Sequence, residues 1–138
     1  AIDAGLPQIW IVGWSFGTDL ALKFGLLAGI EGVILLSPPL RFSTPDDLLR
    51  WKNDGRPVVA LIPELDDYLR PAAAAEGFAP LSQAELIPVA GAKHLWVGEP
   101  SVYRVLNEIV LRLNPSVTQL PREWDGPYES VVDLPPAR

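Results

Sequence analysis

Four short and nearly continuous runs of apolar residues alternate along the chain with longer stretches of mixed polarity. The runs cover residues 9–12, 33–36, 58–62 and 84–89, and they are typical of strands buried on both faces. Helices are predicted over residues 16–29, 45–51, 71–78 and 100–113. This alternation predicts an α/β fold, in which a parallel sheet is covered by helices on both faces.

The predicted helices rest on different signals. Helical spacing predicts an inward face of the first helix that consists of Leu20, Phe24, Leu27 and Ala28. The same spacing predicts an inward face of the last helix that consists of Val102, Leu106, Ile109, Val110 and Leu113. Thr44 and Pro45 suit the N-cap and the first position of the second helix. Pro88 has no backbone N–H, which predicts that the fourth strand lies at an edge of the sheet.

The composition is typical of a single domain and argues against some classes of binding partner. The chain has 138 residues, of which 49% are hydrophobic, so a single packed core is expected. We predict a core over residues 1–114 and an extended tail over residues 115–138, where five prolines occur with little periodicity. The net charge is −6, which argues against a nucleic-acid partner. No apolar run reaches membrane-spanning length, so a cytoplasmic location without a membrane partner is the default expectation.

The residue types exclude several kinds of site. The chain has no cysteine and one histidine, so any metal would depend on carboxylates alone. No G-x-G-x-x-G sequence follows a predicted strand, which argues against a dinucleotide site. We therefore expect neither a metal nor an organic cofactor.

The strongest candidate for chemistry is the G-x-S-x-G sequence formed by residues 13–17, GWSFG. It follows a predicted strand and opens a predicted helix, the context in which such a motif forms a sharp turn that exposes its serine. Gly13 and Gly17 are expected to be required because side chains there would crowd the strand and the helix. The turn would make Ser15 a nucleophile, and the N–H of Phe16 would stabilise an oxyanion. A serine that merely caps the helix is the alternative.

A base and an acid follow later strands in the chain. His94, the only histidine, comes after the fourth run, and a neutral imidazole there would accept the proton of Ser15. Glu64, Asp66 and Asp67 follow the third run, and any of them would orient the imidazole. The carboxyl ends of parallel strands share one edge of the sheet, so these side chains are expected to meet. The order Ser, Asp, His is that of α/β-hydrolases.

The segments GWSFG, PVVALIPELDDYLRP and GAKHLW together resemble the C-terminal portion of the α/β-hydrolase superfamily. Small lidless bacterial serine hydrolases, similar to dienelactone hydrolase and related esterases, are the nearest in pattern, over residues 8–113. The resemblance implies that Ser15, His94 and Asp66 form a triad that cleaves a small ester-like substrate through an acyl-enzyme. Pro71, five residues after Asp66, follows the family pattern and favours Asp66 over Asp67. Pro63, three residues before Asp66, departs from the family pattern, in which a glycine is usual at that position.

The resemblance also implies strands that this chain does not show. They would precede Ala1, together with the loop that supplies a second oxyanion N–H. The chain is therefore expected to be a fragment or to lack half of the oxyanion hole, and one such donor is worth about 10²–10³ in rate. The run from Ile9 to Val12 would form an exposed edge, through which we expect self-association.

Substrate contacts are predicted beside the triad, in a site without a lid. Trp14, Leu95 and Trp96 adjoin Ser15 and His94 in sequence and are the predicted substrate-binding residues, although core packing is equally consistent with them. The other candidates for the lining are Phe16, Leu40 and Leu69. A catalytically incomplete fragment that serves as a binding or scaffold module remains an alternative. A thioesterase, acyltransferase or small peptidase on the same triad is another.

Overall fold

The computed structural model describes residues 8–123. Its elements follow one another in the order β1 (Trp10–Trp14), α1 (Phe16–Phe24), β2 (Gly32–Leu36), α2 (Pro45–Asp54), β3 (Val58–Pro63), α3 (Pro71–Phe78), β4 (Ala84–Val89) and α4 (Glu99–Leu113). The strands are all parallel and lie in the order β1-β2-β3-β4. The predicted α/β fold with a parallel sheet is confirmed.

Helices cover the two faces of the sheet unequally. On one face, α1, α2 and α3 pack around Leu22, Trp51 and Phe78. The indole N–H of Trp51 donates to the carbonyl of Leu22 at 2.8 Å and joins α2 to α1. In the described part of the chain, α4 is the only helix on the other face, where Val105 packs against Ile34. The side of the sheet near β1 is therefore less covered on the α4 face.

The inward face predicted for α1 is wrong. The helix ends at Phe24, and the residues of its predicted inward face, Leu20, Phe24, Leu27 and Ala28, are exposed. Its buried side instead carries Thr18 and Asp19, together with Ala21 and Leu22. Thr18 Oγ1 donates to the carbonyl of Ser15, and Asp19 accepts the N–H of Ser43. Polar side chains with such partners can lie inside, whereas the hydrophobic pattern places them outside.

The inward face predicted for α4 is displaced as well. Val105 is its buried residue, whereas Val102, Leu106 and Leu113 are exposed. Only Ile109 and Val110 of the predicted face are partly buried. The helix is apolar over more of its circumference than the sheet covers, so the spacing alone did not fix which residues lie inside.

The other elements agree closely with the predictions. The helix α3 and the strand β4 have the predicted bounds, and β4 lies at a sheet edge, as Pro88 indicated. Thr44 caps α2 through a reciprocal pair of hydrogen bonds with Asp47, and Pro45 occupies the first turn. The helix continues to Asp54, three residues beyond the prediction, and ends at Gly55, whose φ of 84° glycine tolerates best.

Residues 115–123 form neither a helix nor a strand and lie along α4. The hydroxyl of Tyr103 donates to the carbonyl of Leu120 at 2.7 Å, and the N–H of Leu120 donates to Asn107 at 2.9 Å. The rest of the predicted tail, residues 124–138, lies outside the described residues, as do residues 1–7. Within residues 8–123, no helix combines the length and apolarity needed to cross a bilayer. The strand β1 is an edge of the described sheet, and self-association through it stays a prediction.

Candidate active site

The turn between β1 and α1 presents Ser15 in a strained backbone conformation. Its φ is 51° and its ψ is −121°, a combination that a residue with a side chain adopts only when its surroundings impose it. The N–H of Ser15 donates to the carbonyl of Leu36 at 2.9 Å, which fastens the turn to β2. A Cβ on Gly13 would lie 2.6 Å from the carbonyl oxygen of Gly17, so glycine is required at position 13.

Gly17 does not have the role predicted for it. A Cβ at this position would meet no atom within 4 Å among the described residues, so no crowding requires glycine there. The reason is that the missing side chain would point from the first turn of α1 into open space.

Three side chains from three strand ends form a row of hydrogen bonds. Ser15 Oγ lies 2.8 Å from His94 Nε2, and His94 Nδ1 lies 2.9 Å from Asp66 Oδ2. They follow β1, β4 and β3, whose carboxyl ends meet at one edge of the sheet. With its proton on Nδ1, the imidazole donates to Asp66 and leaves Nε2 free to accept the hydroxyl proton of Ser15. This arrangement can deprotonate the serine.

The structure separates the three acids that follow β3. Asp66 is 2% exposed, and its Oδ1 accepts the N–H groups of Tyr68 at 2.7 Å and Leu69 at 3.2 Å. Both carboxylate oxygens therefore have partners, and the one directed at His94 is held in place. Asp67 is exposed, and Glu64 accepts the N–H of Gly91 at 2.7 Å. Of the three acids, Asp66 is the one that contacts the imidazole.

The backbone of His94 is anchored by two further side chains. Its carbonyl accepts the indole N–H of Trp14 at 3.1 Å and the hydroxyl of Ser37 at 3.0 Å. The ring of Tyr68 lies 4.6 Å from the imidazole, centroid to centroid. Neither Ser37 nor Tyr68 was predicted to belong to the site, because the sequence does not show that Ser37, directly after β2, and Tyr68, beside the predicted acids, contact the histidine.

Backbone strain is concentrated around this site. Within residues 8–123, the residues other than glycine with a positive φ are Ser15, Ser37, Leu40 and Trp96. Ser15 and Ser37 directly follow β1 and β2, and Trp96 comes two residues after His94. Strained conformations persist only where surrounding contacts impose them, and they are common at functional sites.

Two surfaces of different chemistry flank the row. The first, here called the arginine cleft, is lined by Ser15, Phe16, Pro39, Arg41, Phe42 and Tyr68. The second, here called the tryptophan groove, is almost entirely apolar, and its lining includes Trp14, Leu95, Trp96, Val102 and Leu106. The predicted substrate-binding residues Trp14, Leu95 and Trp96 thus share the groove, whereas Ser15 opens into the cleft. Leu40 and Leu69 pack against the core instead.

The N–H of Phe16 stands at the first residue of α1, where N–H groups have no partner within the helix. None of the described residues supplies an acceptor for it. It is therefore free to bind an external oxygen beside Ser15.

Comparison with known proteins identifies the architecture. No protein-family model matches the chain, and no curated protein matches its sequence. Among solved structures, an α/β serine hydrolase homologue from Coxiella burnetii matches with a TM-score of 0.56 at 19% identity, over 78% of this chain and 49% of its own. SOBER1 of Arabidopsis thaliana matches with a TM-score of 0.62 at 20% identity, over 82% of this chain and 58% of its own.

A third match is an esterase from Pyrococcus furiosus, with a TM-score of 0.55 at 17% identity, over 78% of this chain and 51% of its own. The chain has an α/β-hydrolase fold. It spans about half the length of these proteins. In this α/β-hydrolase fold, Ser15 lies between the first strand and the first helix of the described sheet.

Proposed function

We propose that the chain carries the reacting side chains of a serine hydrolase that cleaves an ester-like bond through an acyl-enzyme on Ser15. The observation that supports this most strongly is the row of hydrogen bonds from Ser15 through His94 to Asp66. A surface serine has no need of such a row, whereas a nucleophilic serine requires both a base and a group that orients the base.

In the proposed reaction, His94 Nε2 takes the hydroxyl proton as Ser15 Oγ attacks the carbonyl carbon. The oxyanion that forms accepts the N–H of Phe16. The imidazolium then returns the proton to the leaving alcohol as the tetrahedral intermediate collapses to an ester on Ser15. Water attacks this acyl-enzyme, gives a proton to His94 and releases the acid, and Ser15 recovers its proton. Asp66 holds the imidazole in its working tautomer throughout.

The first test measures the hydrolysis of para-nitrophenyl butyrate by the full chain, with the release of para-nitrophenol as the readout. Ser15→Ala should lower kcat/KM by at least about 10³-fold, because the nucleophile is lost. Ser82→Ala is the matched control, since Ser82 is exposed in the turn before β4, and it should leave kcat/KM unchanged. Equal activity of Ser15→Ala and the unaltered chain would contradict the proposal.

A folded chain that hydrolyses no ester would instead favour a binding or scaffold module on the same fold. Far-ultraviolet circular dichroism of each variant separates that outcome from misfolding. Thioester and peptide substrates, tested alongside the ester, distinguish the related acyl-transfer chemistries.

A further inference from the structure

Arg41 is the only charged side chain that lines the arginine cleft within the described residues. Ser15, the proposed nucleophile, lines the same cleft, and its other walls are Phe16, Pro39, Phe42 and Tyr68. A substrate whose carbonyl meets Ser15 there would place its remaining atoms within reach of a guanidinium group.

The loop that carries Arg41 is fixed by a buried carboxylate. Asp19, fully buried on α1, accepts the N–H of Phe42 at 3.3 Å and that of Ser43 at 2.8 Å, as well as the hydroxyl of Ser43. Leu40, directly before Arg41, has a φ of 49°, which turns the chain sharply. The backbone of the loop that places Arg41 at the cleft is thus held by Asp19 and turned at Leu40.

Aromatic rings complete the wall of the cleft. The ring of Phe42 lies edge-on to that of Phe16, with centroids 5.3 Å apart. The guanidinium carbon of Arg41 lies 5.9 Å from the centroid of Tyr68, whose ring also contacts His94. A ring at this distance attracts the guanidinium group but leaves its charge unneutralised.

Within residues 8–123, Arg41 has no acidic partner, and in this it resembles Arg70, which donates only to the backbone carbonyl of Asp66, and Arg122, which lies over the ring of Tyr103. Arginines with a carboxylate partner are Arg50, Arg56, Arg104 and Arg112. Within residues 8–123, Arg41 has neither an ion pair nor a hydrogen-bond acceptor, although the chain has a net charge of −6. An unpaired guanidinium beside a nucleophile offers a planar, two-pronged site for a carboxylate.

We propose that Arg41 binds a carboxylate at the far end of the substrate, so that the preferred substrates are esters whose acyl part carries a second, ionised acid group. This inference rests on the proposed function of Ser15. It assigns the arginine cleft to the acyl part of the substrate and gives Arg41 a role in specificity.

The test compares two series of para-nitrophenyl esters of dicarboxylic acids, from succinate to suberate. In one series the second carboxylate is free, and in the other it is masked as a methyl ester. At the best chain length, Arg41→Gln should lower kcat/KM for the free acid by about ten- to a hundred-fold, through a higher KM. It should change the masked ester by less than about two-fold, since that substrate has no charge to bind. Arg41→Lys should retain part of the preference.

Arg104→Gln is the matched control, because Arg104 is a half-exposed arginine on α4 outside the cleft, and it should alter neither series. Added salt should weaken the preference of the unaltered chain for the free acid. An equal loss on both series in Arg41→Gln, or no loss on either, would overturn the assignment of Arg41 while leaving the proposed function intact. If the unaltered chain hydrolyses neither series faster than Ser15→Ala does, the proposed function fails and this inference fails with it.

Discussion

The arginine cleft and the tryptophan groove begin at adjacent residues, Ser15 and Trp14, yet they are built differently. The groove has a buried floor, since Trp96 is 6% exposed and Val105 is 8% exposed, and both belong to the core beneath α4. The cleft has exposed walls, since Phe16, Phe42 and Tyr68 are each more than half exposed.

This difference separates two uses of aromatic side chains. A buried indole contributes to stability through the apolar area that it removes from water. Exposed rings around Arg41, which has no acidic partner within residues 8–123, contribute little to packing, and we expect a ligand to cover them. We therefore expect substitutions in the cleft to change activity, and substitutions in the floor of the groove to change stability.

The largest effect, on kcat, is expected for Asp66, which orients the imidazole of His94. Asp66→Asn keeps the shape of the side chain but no longer favours the working tautomer of His94, so kcat should fall by about 10⁴-fold. Asp67 is the neighbouring exposed acid, and the kcat of Asp67→Asn should stay within about two-fold of that of the unaltered chain. The measurement is hydrolysis of para-nitrophenyl butyrate. A comparable loss of kcat in Asp67→Asn would contradict the assignment of Asp66 as the acid that orients His94.

The next effect tests the groove. Trp96→Ala should lower the free energy of unfolding by about 3–5 kcal/mol, because a large buried side chain is lost. Phe42→Ala in the cleft should lower it by less than about 1 kcal/mol, because that ring is exposed. Urea denaturation, monitored by circular dichroism, measures the free energy of unfolding of both variants. A Trp96→Ala chain that is already unfolded in water would agree with the upper end of the expected loss. Equal losses would remove the distinction between the two surfaces.

The smallest effect concerns the pH dependence of stability at α2, the helix that follows the loop of Arg41 and Phe42. Burial raises the pKa of Asp47, but hydrogen bonds from Thr44, Lys23 and Arg50 outweigh it and hold the pKa well below its usual range. Because the pKa is lowered by folding, the stabilisation is present at neutral pH and is lost as the pH falls below about 4. The difference in unfolding free energy between the unaltered chain and Asp47→Asn should therefore shrink on acidification.

Asp46→Asn is the control for that experiment, since Asp46 is the exposed neighbour in the same turn of α2. A pH-independent difference between the unaltered chain and Asp47→Asn would show that the ion pairs of Asp47 do not stabilise the fold.

The sequence predicted the strands better than the faces of the helices. Parallel strands buried on both sides read as plain apolar runs, so β2 and β3 were found close to their observed bounds. The edge strand β4 also has its predicted bounds, although it is not buried on both faces as its apolar run predicted. The inward face of α1 was missed because Thr18 and Asp19 are buried with hydrogen-bond partners, which are the carbonyl of Ser15 for Thr18 and the N–H of Ser43 for Asp19. Hydrophobic spacing carries no information on such partners.

The site shows the same division between local pattern and tertiary contact. Ser15, His94 and Asp66 follow strands, and parallel topology alone brings strand ends together. Arg41 reaches the cleft through a loop that is held by Asp19, and Tyr68 reaches it through the turn that is held by Asp66. The sequence around Arg41 and Tyr68 does not indicate that their side chains lie beside Ser15, so this proximity could be found only in three dimensions.

The most direct measurement treats the full chain with a fluorophosphonate, which reacts with an activated serine, and locates the adduct by mass spectrometry. One adduct on Ser15 is predicted, absent from Ser15→Ala, retained in Ser82→Ala and formed much more slowly in Asp66→Asn. No adduct on a folded chain, or an adduct that persists in Ser15→Ala, would contradict the proposal that Ser15 is an activated nucleophile.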